Sequence, residues 1–234
     1  MKRILILLFV FALLVSFSGC TDNTNNALTN TEVTANNNNN NNNQKESVGE
    51  TIQQILGKAK NVDNIEYTMA MSMNGTLLPM TTKVYQKASK YKSETTFMGA
   101  TQSTIFDGEN LYMYVAEEDI YYLYDDVSSD SAGGADFSGV ADQALADPEL
   151  KELGKEKVNG LNTRKIEFTY DDQKVVVWVS EDYGILVKME VEVEGQGTTS
   201  IELTDIKVNS VDDAVFVVPQ DKVQPMENMY SLPE

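Results

Sequence analysis

The stretch LNTRKIEFTYDDQKVVVWVSEDYGILVKMEVEVEGQGTTSIELTDIKV, residues 161–208, decides the fold. It reads as four strands in succession: Leu161–Tyr170, Gln173–Val179, Ile185–Glu194 and Thr198–Val208. The connections are too short for a parallel return, which needs a crossover of a dozen residues or more, so the neighbours are antiparallel. In the third strand Ile185, Val187, Met189, Val191 and Val193 alternate with Lys188, Glu190, Glu192 and Glu194. Such alternation predicts one dry face and one wet face.

Upstream the same pattern continues. Ile65, Tyr67, Met69, Met71 and Met73 alternate with polar or small residues, and Asn74-Gly75 is a two-residue hairpin signal. The return strand runs from Thr76 to Tyr85, with Pro79 arguing for an edge or a bulge. Further strands are expected over 91–98, 100–106, 111–115 and 120–124, with Asp107-Gly108 as another turn. The tally is about six strands before residue 125 and four after 160. Val215–Pro219 reads as a closing edge segment, and 220–234 as a tail with little pattern.

One helix precedes the strands. Ser47 to Glu50 has capping-box spacing, and Val48, Ile52, Ile55, Leu56 and Ala59 fall on one stripe. Burying the four large members contributes on the order of 8 kcal/mol gross. So short a helix does not hold alone and must dock on the sheet. Residues 125–154 interrupt the meander with an acidic insertion. Two short helical patterns are expected in it: Phe137–Leu145, and one capped by Asp147, starting at Pro148 and ending at Gly154. With Phe137, Val140, Leu145 and Leu150 as its apolar members, the insertion is either a lid over a cavity or a surface connection.

The N-terminal end carries address information. Met1–Arg3 is basic, and Ile4–Phe17 is an apolar run too short for a comfortable membrane span. Small residues before Cys20 resemble the lipobox of prokaryotic lipoproteins, which implies removal of residues 1–19 and lipidation of Cys20. Thr21–Glu46, with asparagine unbroken from Asn36 to Asn43, lacks the apolar content to offset ordering entropy. It reads as a disordered tether with an end-to-end distance of roughly 25–30 Å.

Composition narrows the chemistry. The 234 residues include no histidine and one cysteine, which excludes a disulfide framework, a thiolate zinc site and histidine-based triads. Net charge is -18, a surface that repels phosphate backbones, so nucleic acid is not an expected partner. The carboxylates at Glu190, Glu192 and Glu194 share a solvated face, where nothing raises one pKa above another. Asp125, Asp126, Ser128 and Asp130 faintly suggest a calcium loop, but the glycine and terminal glutamate stand at the wrong offsets. Neither an enzyme, a metal nor a cofactor is expected.

The amphipathic helix followed by one long meander resembles the LolA/LolB-type lipoprotein-carrier superfamily. The segments that carry the resemblance are Thr104–Tyr114, Val158–Thr163, Trp178–Lys188 and Phe216–Pro219, over nearly all of 47–219. It implies a mainly β, α+β domain: an incomplete barrel of about 10–11 strands wrapped round the helix. It also implies an apolar cavity. Methionine suits adaptable apolar surfaces, so Tyr67, Met69, Met71, Met73, Met80, Met113 and Met189 are the expected lining for an acyl or isoprenoid chain. The expected setting is the outer face of the cell membrane, with transfer or sensing of lipid as the role. The alternative is a ligand-free domain that binds another envelope protein.

Overall fold

The computed structural model describes residues 50–124, 137–170, 173–193 and 197–226. Its compact unit begins at Thr51. The first helix, α1, is Ile52–Gly57, and it tightens into a 3-10 turn over Lys58–Asn61. The helix is capped one turn later than the spacing of Ser47 and Glu50 suggests. Thr51 is the N-cap, its hydroxyl accepting from the Gln54 amide while Gln54 Oε1 accepts from Thr51 N at 2.9 Å. Two boxes compete in this stretch, and the one adjoining the apolar stripe forms. Glu50 lies ahead of the helix, and Val48 is outside the described residues.

The strands form one twelve-stranded sheet. In chain order they are β1 (Asn64–Met73), β2 (Thr76–Lys87), β3 (Lys90–Phe97), β4 (Ala100–Phe106), β5 (Leu111–Val115) and β6 (Ile120–Tyr124). After the second helix, α2 (Phe137–Ala146), come β7 (Lys151–Val158), β8 (Leu161–Tyr170), β9 (Gln173–Ser180), β10 (Leu186–Val193), β11 (Gly197–Val208) and β12 (Val223–Pro225). Their spatial order is β12-β6-β5-β4-β3-β2-β1-β11-β10-β9-β8-β7. Two meanders, β1–β6 and β7–β11, are thus joined where β1 meets β11. Every pairing is antiparallel except β12 on β6, and the sheet does not close on itself.

Two strands escape the sequence reading. The residues after Pro148 form no helix: Asp147 instead holds a turn. Its Oδ1 accepts from Glu149 N at 2.7 Å and its Oδ2 from Thr169 N of β8 at 2.7 Å, and Leu150 N donates to Asp147 O. The chain then leaves as β7, an edge strand whose residues up to Lys157 are all exposed. The other is β12, three residues from the segment expected to be a patternless tail; at that length there is no period to see.

Pairing registers assign faces, because directly paired residues point the same way. The helices lie on one face. There Ile52, Ile55 and Leu56 pack with Ile166, Phe168, Val175, Val177, Val179 and Leu186, and with Ala141 and Ala144 of α2. A second cluster on the same face holds Ile65, Tyr67, Val84, Ile185 and Leu203. On the opposite face Val211, Phe216 and Val218 cover Ile105 and Tyr112 before the chain reaches β12. In β10 the expected alternation is broken. Leu186 pairs with Val179 and Lys188 with Trp178, so Val187 is an extra residue. Leu186, rather than Ile185 or Val187, therefore joins Met189 and Val191 over α1.

The docking of α1 depends on one glycine. Gly184 sits at φ +71°, directly under the helix, and a methyl group there would lie 2.3 Å from Ile55 O and 2.7 Å from Ala59 N. The same turn receives the Lys58 ammonium, which donates to Glu181 O at 2.6 Å. Gly184→Ala is therefore expected to cost roughly 2–5 kcal/mol through backbone strain and overpacking. Gly75→Ala, at φ +76° but in open space, is expected to cost only about 1–2 kcal/mol; chemical denaturation of the two variants measures the difference.

The segment after β11 is held electrostatically as well. Lys87 and Lys90 donate to Asp213 at 2.6 and 2.9 Å and hold its carboxyl down at about 2. A depressed carboxylate contributes stability above its unfolded pKa and loses it as pH falls toward the folded one. Asp213→Asn is thus expected to lower the melting temperature at pH 7, with the gap closing between about pH 4 and pH 2.

Candidate functional site: the helix-bearing face of strands β1 to β6

On this face the two halves of the sheet differ. Over β8, β9 and β10 it is branched and aromatic apolar, and α1 and α2 cover it. Across β1–β6 the registers bring a different set to the same side. Met69, Met71 and Met73 pair with Leu203, Ile201 and Thr199 of β11, and Ile201 pairs with Met189 of β10. Met80 pairs with Phe97, Thr82 with Thr95, Thr95 with Gln102, Thr104 with Met113, and Met113 with Tyr122.

Among the described residues, the positions of β1–β6 on this face carry no Asp, Glu, Lys or Arg. The charges of these strands stand on the other side, where Glu66 meets Lys207 and Lys92 lies 2.9 Å from Glu94. The polar groups on the helix-bearing side are hydroxyls and amides. Thr82 and Thr95 hydroxyls are 3.0 Å apart, and Gln102 donates to the Met113 sulfur at 2.9 Å. The Gln86 amide oxygen is buried and has no partner among the described residues.

The sequence-derived residues fall into three groups. Tyr67 and Met69 belong to the second core cluster, and Met189 packs against the first. Met80 is buried, Met71 and Met113 are half-buried, and Met73 is 43% exposed; among the described residues these four lie in none of the three clusters. Of the insertion, Val140 and Leu150 pack against the first cluster while Leu145 is exposed. The side chain of Phe137 and residues 125–130 are outside the described set. Sequence reasoning missed Phe97, Gln102, Thr104 and Tyr122. Their polar or aromatic character hides the face they occupy until the register is known.

An unclosed antiparallel sheet carrying an amphipathic helix on one face is the fold that the sequence resemblance implied. No protein-family model matches the chain, and no curated protein matches it in sequence. Solved structures match in fold. The Pseudomonas aeruginosa MucA/MucB complex matches at a TM-score of 0.51 and 12% identity, over 72% of this chain and 61% of that one. The chain therefore spans about three-fifths of the MucB-complex chain it matches. An uncharacterised conserved protein from Thermus thermophilus matches at 0.50 and 11%, over 74% and 98%. The Mycobacterium tuberculosis lipoprotein LppX matches at 0.48 and 16%, over 69% and 96%. At these identities the likeness is one of fold.

Burial pushes the Tyr67 hydroxyl well above its ordinary range and raises that of Tyr91, whose hydrogen bond with Ser93 only partly offsets it. A raised folded pKa means stability that is complete below the unfolded value and lost as pH climbs past it. Alkaline unfolding is expected to begin above about pH 10, with these two phenols ionising only as the sheet opens. Tyrosinate absorbance followed beside circular dichroism measures this, and Tyr91→Phe is expected to move the midpoint upward.

Proposed function

We propose that the chain is a lipid-anchored, extracytoplasmic binding module that holds an apolar chain against the helix-bearing face of β1–β6. The observation that carries this reading is the charge-free, methionine-rich surface around Met71, Met73, Met80 and Met113, which lies outside the three core clusters. A sixteen-carbon chain buried there gains roughly 12 kcal/mol gross before ordering costs. An ionised group would be penalised, since no countercharge stands on that face. Cys20 serves as the anchor and residues 21–46 as the spacer. The packing of α2 on α1 and β8 fits a cover for one side of the site. Binding, not catalysis, is the function.

A second reading, in which the domain binds another envelope protein, is favoured by one observation. The likeness to MucB comes from a complex with MucA. The two readings separate in one experiment. Full-length chain with Cys20→Ser is purified from cells, extracted for lipid mass spectrometry, and titrated with a fluorescent fatty acid. Co-purified lipid and displaceable probe are expected, and Met71→Asp is expected to weaken probe binding by about tenfold or more at unchanged melting temperature. A chain without lipid that ignores the probe overturns the first reading.

A further inference from the structure

Three of the methionines form a repeat that a greasy lining does not require. Met69, Met71 and Met73 stand at every second position of β1, so their thioethers leave the same side of the strand. The pairing of β1 with β2 slips between Ala70 and Ser72. Ala70 pairs with Thr81 and Ser72 with Leu77, leaving Leu78, Pro79 and Met80 together opposite Met71. That slip crowds Met80 beside Met71. On the other side Ile201 pairs with both Met71 and Met189, which puts Met189 two strands, about 10 Å, from Met71. Burial grades outward from Met80 to the 43% exposed Met73, so the group opens toward solvent at one end.

We propose that Met71 and Met73, with Met80 beside them, form a thioether site for a soft monovalent cation, Cu(I). This goes beyond lipid binding and departs from the sequence expectation of no metal. Thioethers are soft donors that select Cu(I) over zinc and the hard cations. The chain offers few competing soft or borderline ligands: it has no histidine and a single cysteine at position 20. Among the described residues no group of three His, Cys, Asp or Glu could hold a metal. Met71 and Met73 stand about 7 Å apart along the strand, and each has three rotatable bonds, which lets their sulfurs turn toward one ion. No lysine or arginine stands on this face of β1–β6 to repel a cation, and the chain's net charge of -18 attracts one.

The test uses the full-length chain with Cys20→Ser, which removes the thiol, titrated anaerobically with Cu(I) against bicinchoninate. One Cu(I) per chain is expected, with an X-ray absorption spectrum dominated by sulfur neighbours. Met71→Leu combined with Met73→Leu keeps volume and apolarity while deleting two donors. It is expected to lower Cu(I) affinity at least roughly 100-fold, more than losing an outer-shell partner costs. Melting temperature is expected to stay as in the parent. Met113→Leu, four strands from β1, is expected to leave Cu(I) affinity as in the parent. No Cu(I) captured from bicinchoninate, or capture that the double variant retains, overturns the site and leaves the lipid reading standing. Intact Cu(I) binding with no probe binding does the reverse.

Discussion

The pairing of β1 with β11 is the contact on which the architecture depends. Every other antiparallel pair in the sheet joins strands adjacent in the chain. Ile65 facing Val208 and Met73 facing Thr199 instead bring together residues more than a hundred positions apart. Without that seam there are two meanders, each with one apolar face and no partner for it. With it, the sheet is wide enough to hold α1 and to continue past it. The seam is reinforced on the outer side by the Ser72 and Ser200 hydroxyls, 2.9 Å apart. At its base Asn64 donates to Val211 O and accepts from Val211 N.

A consequence of the wide sheet is division of labour. The half made by β8–β10 spends its apolar side chains on α1 and α2. On its far side it keeps Trp178 dry beneath the Lys165 and Lys188 ammonium groups, 4.4 and 4.5 Å from the ring. Arg164, itself buried, ties β7 to the turn that supports α1 through Glu152 and Glu181. The half made by β1–β6 keeps its charges outside and its methionines inside. One half is filled by apolar side chains packed on the helices; the other carries the softer, unbranched methionines.

Much of this is legible in the sequence. Period-2 alternation located ten strands, because antiparallel strands with one wet face advertise themselves. Asn74-Gly75 marked its hairpin, both residues taking positive φ. What was not legible has local causes. The capping box at Thr51 is no stronger in sequence than the one at Ser47; burial of Ile52 decides between them. Asp147-Pro148 looks like a helix start, yet the Asp147 carboxylate is engaged by Thr169 of β8, a partner twenty-two residues away. The extra residue at Val187 shifts which side chain reaches α1, and no pattern marks it. Tyr67, Met69 and Met189 could be placed on one face from spacing alone. Met80, also expected there, keeps that face because the slip opposite Met71 shifts the register by two residues.

The two borders of the sheet carry a final implication. One border is β7, whose lysines and glutamates alternate along a kinked strand interrupted at Gly154; the other is β12, three residues long and ending in Pro225. Neither offers a straight row of free amides and carbonyls to a neighbouring molecule. Copies of this chain concentrated together would slide past one another instead of zipping into ribbons, so a broad unclosed sheet can exist at high local density without seeding fibres.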